Sequence, residues 1–519
     1  MTTTLLVQLA MTQEGTSQPP RGFFDTPVSG AVITGSVAVT GWALDDIGVD
    51  RVEIWRDAVA GETTPLYEGP GPAHGKIYIA TTVFVDGARP DVARAFPYTP
   101  MNSRGGWGYL MLTQGLWNQG NGAYTLYAFA VDVEGHATSL GSKTITADNA
   151  HAVKPFGALD VPAFGDTKSG TFFNMGWALT PKPNSKDARR CTIVNGNVFM
   201  AVDSGPLQTV SYGDARQDVA AAFPDFTNSS GAGGAFALDT TTLSNGMHQI
   251  GWYVVDDCGR ADGIGSRFFS VLNGASAETG LGARDSGLAV PSTAASLDAA
   301  EPIAVRRDNG ADQWVWPSAT GTRIVTMQQD ERVEVVLPAS SSGTSYTGHQ
   351  LMNGELKALP IGSSIDAATN TFAWHPAPGF LGRFDLVFDD GERSLPVSVV
   401  VGPPMRTVID TPQAGATVRG SFLVAGWTLD LAAAAGSGVD TVHVWAYPAA
   451  GGDPIFLGVA DIGGERPDVA TTYGATFARS GYNLLVNGLP PGWYYFVVYP
   501  HRAATSSFEG AQVVSVAVQ

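Results

Sequence analysis

The chain has 519 residues, 48 acidic and 30 basic, for a formal net charge of −18. That balance argues against nucleic acid or an anionic membrane surface as the main partner, and no apolar run approaches the roughly 18–20 residues that span a bilayer. With 63 Gly, 32 Pro, 15% charged and 44% hydrophobic residues, it reads as a folded all-β protein rich in tight turns, of about three to five domains.

In chain order, residues 1–20 are an N-terminal tail, MTTTLLVQLAMTQEGTSQPP. No basic segment precedes its short apolar stretch, which Gln8 interrupts, so it is a poor signal peptide. Residues 21–150 form a first repeat unit and residues 151–273 a second. Residues 274–300 are small and polar and read as a linker or an extended cover strand. Residues 301–402 form a unit of a different pattern, and residues 403–519 a third copy of the repeat.

Three marks define the repeat. The first is Gly-Trp-Ala/Thr-Leu, at Gly41–Leu44, Gly176–Leu179 and Gly426–Leu429. The second is an Arg-x-Asp-Val element, with Arg89 and Asp91, Arg216 and Asp218, and Arg466 and Asp468. The first copy carries an insertion of about eight residues between these marks, placed in PLYEGPGPAHG, by the offset of one mark from the other. The third mark is an alternating aromatic strand after a turn signal, NGAYTLYAFAVDVEGHA, NGMHQIGWYVVDDCGRA and PPGWYYFVVYPHRAA. Period-two alternation in VITGSVAVTGWALD marks half-buried strands, and RPDVARAFP is the one segment that reads as a helical turn, stopped by its final Pro.

The opening of the repeat, Asp25–Trp55 and again Asp410–Trp445, resembles bacterial immunoglobulin-like domains. The 301–402 unit, with LPIGSSID followed by Phe372-Ala-Trp374, resembles immunoglobulin-like or cadherin-like modules. The resemblance implies tandem immunoglobulin-like β-sandwiches and an extracellular or cell-surface setting, and it names no chemistry.

Residues repeated three times are expected to be framework. Arg89, Asp91, Arg216, Asp218, Arg466 and Asp468 are assigned to helix capping and ion pairing. Trp42, Trp177 and Trp427 are assigned to the buried strand position of a sandwich. No Gly-x-Ser-x-Gly, His-Glu-x-x-His or phosphate loop is present, and the eight His lack metal spacing, so no catalytic residue is assigned. At one tip of the first repeat, Asp45, Asp46, Asp50, Asp132 and Glu134 read either as solvated turn residues or as hard oxygen ligands for calcium. At the same tip of the second repeat the topology brings Cys191 and Cys258 together, and a disulfide is expected there.

Trp107, Tyr109, Trp117, Trp314 and Trp316 are the candidates for stacking on a ligand. The reading that follows is a non-enzymatic structural or adhesive protein, a stalk, filament or matrix subunit, with modules linked end to end into a rod. Its partners would be other protein subunits or surface glycans, and exposed sheet edges would favour homo-oligomers. The rival readings are a carbohydrate-binding accessory region of a secreted enzyme and a hydrolase with a site between domains.

Overall fold

The structure is a computed structural model that describes residues 18–181, 191–274, 288–289, 296–297, 301–307, 310–318, 320–329, 331–340, 344–352 and 354–519. Most of the N-terminal tail and most of the linker lie outside these residues. The fold is all-β: among the described residues, eight sheets pack in pairs into four sandwiches.

In the first repeat, one sheet runs in the order Arg21–Thr26, Ser36–Leu44, Gly106–Leu112, Val83–Phe84. The facing sheet runs Val32–Ile33, Ala137–Asp148, Asn121–Asp132, Val49–Arg56, Ile77–Thr81. The chain leaves the first sheet at Thr26, crosses through a cis Thr26–Pro27 bond and joins the second by parallel pairing of Val32–Ile33 with the last strand. The second and third repeats share this strand order and have cis bonds at Val161–Pro162 and Thr411–Pro412.

Strand alternation places Val39, Val52, Ile54, Leu126, Ala128 and Met111 in the first sandwich core, each large aliphatic side chain contributing roughly 1.5–3 kcal/mol by burial. The repeated Gly of the Gly-Trp pair leaves room for a large aromatic. A Cβ at Gly41 would lie 2.4 Å from the Trp107 ring, one at Gly176 3.1 Å from the Trp252 ring, and one at Gly426 2.7 Å from the Tyr482 hydroxyl.

The adjacent Trp is buried, as its strand position predicts, in the second repeat, where Trp177 is 8% exposed. Trp42 and Trp427 are only partly buried. Each Trp faces out of the sandwich, onto the short helix that follows the Arg: Trp42 packs on Phe96 at 5.4 Å, Trp177 on Phe223 at 5.5 Å and Trp427 on Tyr473 at 5.5 Å. Those helices are Pro90–Ala95, Gln217–Ala222 and Pro467–Tyr473.

The 301–402 unit is a sandwich of another topology. One sheet runs Gln313–Val315, Ile303–Arg307, Val333–Val336, Thr371–Trp374, Ser363–Asp366. The other is built around Gly382–Asp389 and Arg393–Val401. Two pieces of the linker join this second sheet as cover strands, Leu288–Ala289 against Glu355–Lys357 and Ser296–Leu297 parallel to Arg393–Val401.

The units are not strung into a rod. The 301–402 sandwich touches all three repeats. Gln329 bonds Thr26 and Thr40 of the first repeat at 3.1 and 3.2 Å, and a Cβ at Gly108 would sit 2.2 Å from the Pro378 backbone. Ser204 of the second repeat donates to the Gly362 carbonyl at 2.6 Å and accepts from His375 N at 2.8 Å, while Gln249 donates to the His375 carbonyl at 2.9 Å. Ile324 and Val400 pack on Leu429 and Leu431 of the third repeat. Arg94 of the first repeat then donates to the Thr472 carbonyl of the third at 3.0 Å. Buried polar groups satisfied across module boundaries fix the modules beside one another.

Candidate functional site

The Arg-x-Asp element is the centre of a triad in every repeat. Its Arg grips the next Asp with two parallel bonds: Arg89 to Asp91 at 2.8 and 2.7 Å, Arg216 to Asp218 at 2.8 and 2.6 Å, and Arg466 to Asp468 at 2.9 and 2.6 Å. The remaining guanidinium nitrogen reaches back to the Asp that precedes the cis-Pro turn: Arg89 to Asp25, Arg216 to Asp160 at 2.6 Å and Arg466 to Asp410 at 2.6 Å. The N-cap residues themselves, Arg89, Arg216 and Arg466, make no side-chain cap bond; Asp91, Asp218 and Asp468 accept from first-turn backbone N–H groups as well as from the Arg, so each carboxylate both pairs and caps.

The third member of each triad was not among the expected residues. It is legible in the sequence, because the Asp-to-Arg separation is 56 in the second and third repeats and 64 in the first, the difference being the insertion. The first triad is buried where the first repeat, the third repeat and the 301–402 unit meet. Burial works to lower the Arg89 pKa, but the Asp25 and Asp91 carboxylates outweigh it and hold the group above its ordinary value. The hydroxyl of the partly buried Tyr473 beside it is pushed up to about 12, by desolvation first and by Asp91 next.

At the acidic tip the five carboxylates do not form one ligand set. Asp132, Glu134 and His136 bring ligand atoms within 4.8 Å of one another. The Asp132 carboxylate is committed to its turn, accepting from Glu134 N, His136 N and His136 Nδ1 at 2.9 Å each. Asp45 accepts from Ile47 N and Gly48 N at 2.9 Å, Asp50 pairs with Arg51 at 2.6 Å, and Asp46 is exposed. The sister tips are charge-compensated: Arg260 and Thr180 bond Asp256 at 2.6 and 2.7 Å, and Arg502 bonds Asp430 at 2.8 Å. Cys191 and Cys258, at the tip of the second repeat, are joined in a disulfide with Cα atoms 5.6 Å apart.

The candidate aromatics separate sharply. Trp107 is fully enclosed between the sheets and has no face for a ligand. Trp314 and Trp316 are about two-thirds exposed, on and just beyond the edge strand Gln313–Val315. Tyr109 and Trp117 share one groove.

That groove, of about 600 Å³, lies between the first and second repeats. Its floor and walls include Tyr78, Tyr109, Trp117, Gln114 and the Arg56–Glu62 ion pair, with Phe223 on the side of the second repeat. Arg56 and Glu62 are almost wholly buried and bonded through both guanidinium nitrogens. Hydrogen bonding from Arg56 is the largest influence on the Glu62 carboxyl and brings its pKa to about 2. Gln114 is 5% exposed, and neither its amide nitrogen nor its oxygen has a hydrogen-bond partner.

No family model matches the chain, and no curated protein matches it. Among solved structures, the chain is similar to the N-terminal four Ig domains of Dscam1 isoform 8.4, at 9% identity over 97% of this chain and 99% of that one, with a TM-score of 0.23. It is also similar to fibronectin(III)-like modules of Clostridium thermocellum CbhA, at 16% identity over 49% of this chain and 94% of that one, TM-score 0.15. Domains 1–6 of the surface layer protein SbsC match at 12% identity over 96% of this chain and 54% of that one, TM-score 0.18.

Proposed function

We propose that the chain is a non-catalytic structural and adhesive part of a secreted or cell-surface protein, working as a compact cluster of immunoglobulin-like sandwiches that presents surfaces to partners. The observation that carries this reading is the use made of the repeated ionisable residues. All three Arg–Asp–Asp triads are closed networks that tie a strand to a helix, so the ionisable residues that the repeat shares are spent on architecture. The packing around the 301–402 unit favours a compact adhesive or matrix subunit over a stalk.

Beads coated with the intact chain test the reading. Adhesion to glycan- or protein-coated surfaces above that of uncoated beads is expected; no adhesion to any surface would remove the adhesive role. Small-angle scattering tests the cluster. A radius of gyration near the roughly 24 Å of a compact 519-residue body is expected, and a value about twice that would restore the rod. Calcium at the acidic tip is tested by melting with Ca²⁺ and after chelation; because Asp132 is already bonded by its own turn, no shift is expected.

A further inference from the structure

The groove between the first and second repeats is bordered by two places where the first repeat departs from the second. One is the segment around the eight-residue insertion, from which Glu62, Thr64 and Tyr78 reach the groove. The other is the turn after strand Gly106–Leu112. In the second repeat the matching strand ends at Asp239, which pairs with Thr171 as Leu112 pairs with Ser36. Counting on from there aligns Gln114 with Thr241 and Leu116 with Leu243. The second repeat then goes directly to Ser244-Asn245-Gly246, whereas the first inserts Trp117-Asn118-Gln119.

The two turns handle their polar groups differently. Thr241 is satisfied locally, its hydroxyl donating to Asp239 Oδ1 at 2.7 Å. Gln114 in the same position keeps both ends of a buried amide unpartnered. A buried carboxamide without a partner is costly unless something else completes it. The inserted residues are held in the left-handed region, Asn118 at φ 54° and Gln119 at φ 52°, a conformation that non-glycine residues keep when the surroundings impose it. Trp117, 37% exposed, and the half-exposed Tyr78 both line the groove.

From this we infer that the groove is a binding site for a neutral, hydroxyl-rich ligand, a saccharide. This inference rests on the adhesive reading and specifies its partner class. Three features select the class. Aromatic faces at Tyr78, Tyr109 and Trp117 suit the apolar C–H face of a sugar ring. The Gln114 amide offers a donor and an acceptor together, which a hydroxyl satisfies and a methyl or a lone charge does not. The charged groups in the wall, Arg56 and Glu62, neutralise each other and select no ion. The volume lies within the roughly 300–1,000 Å³ typical of ligand clefts.

The test uses the intact chain and an array of neutral gluco-, manno- and xylo-oligosaccharides, followed by titration of the best binder with tryptophan fluorescence and calorimetry. Saturable binding is expected, weakened at least tenfold by Trp117→Ala and by Gln114→Thr. The second variant installs the residue that the sister repeat carries at this position, so it preserves the fold; its melting curve should match the parent. Trp314→Ala with Trp316→Ala should bind as the parent does. The inference is overturned if no neutral saccharide binds at millimolar concentration, if neither groove variant changes the affinity, or if the Trp314/Trp316 variant abolishes it. Bead adhesion that persists in Trp117→Ala would sink the saccharide groove and leave the adhesive reading standing; adhesion absent in the parent chain would sink that reading itself.

Discussion

At the scale of residues, one triad chemistry is placed in different environments. The Arg89 and Asp91 side chains are 5% and 11% exposed, against 21% and 66% for Arg216 and Asp218 and 19% and 62% for Arg466 and Asp468. Removing one partner of a buried pair strands the others without solvent, at a cost of roughly 3–5 kcal/mol. An exposed pair is screened and is worth about 0–1 kcal/mol. Arg89→Ala should therefore destabilise the chain far more than Arg216→Ala or Arg466→Ala in urea unfolding, and equal losses would contradict the burial difference.

Glu62 gives a pH signature. Its carboxyl sits near 2 in the folded state, below an unfolded value of about 4.3. A depressed acid contributes stability that is complete above the unfolded value and fades as pH falls from about 4.3 toward 2. Melting curves across that interval should show a steeper loss in the parent chain than in Glu62→Gln.

At the scale of elements, the second repeat carries a cross-link at its tip, and the first an inserted loop over a sheet face. The disulfide closes a sequence separation of 67 residues. Constraining a loop of that size in the unfolded chain is worth roughly 2–4 kcal/mol. Cys191→Ser with Cys258→Ser should lower the stability of the second repeat by about that amount, read from its own unfolding transition; an unchanged transition would show that the bond adds nothing. In the first repeat, the insertion folds over the outer sheet face. Tyr67 packs on Trp55 at 5.1 Å, Lys76 lies 3.5 Å over the Tyr127 ring, and Ala73 completes the cover. The same face of the second repeat is covered by the 301–402 unit through Tyr253 and His375, 2.6 Å apart. In the third repeat that face is left with Trp493 and Tyr495 about half exposed.

At the scale of the whole molecule, the contacts between modules are close enough to test singly. A Cβ at Gly362 would fall 1.7 Å from Gln249 Oε1, and the residue has φ +84°. Gly362→Ala should push Gln249 from the His375 carbonyl and weaken the junction between the second repeat and the 301–402 unit, read as faster hydrogen exchange at Gln249 and His375 without unfolding of either sandwich. Unchanged exchange would mean that the junction is held elsewhere. This arrangement is the part of the protein that sequence reasoning placed wrongly, as a rod. The residues that make the junction, such as Ser204, Gln249, Gln329 and Gly108, have no period and no motif, and each reads as an ordinary turn or strand residue until its partner from another module is known.

The units and much of their interior were legible in the amino-acid sequence, because strand alternation, the Gly-Trp pair, the Arg-x-Asp element and the two cysteines all act within one module. Even the third triad member is recoverable from the constant spacing of Asp to Arg. Tertiary structure alone decided what lies between modules and which way a side chain faces. Strand period fixes two sides but not which is covered, so Trp42 turned outward to a helix, and Trp107, offered as a ligand platform, proved to be core. The groove belongs to this second class. Its aromatics were visible in the sequence as single residues, but their convergence with an unpartnered Gln114 depends on how two sandwiches pack, and that is set by shape and buried hydrogen bonds rather than by any local pattern.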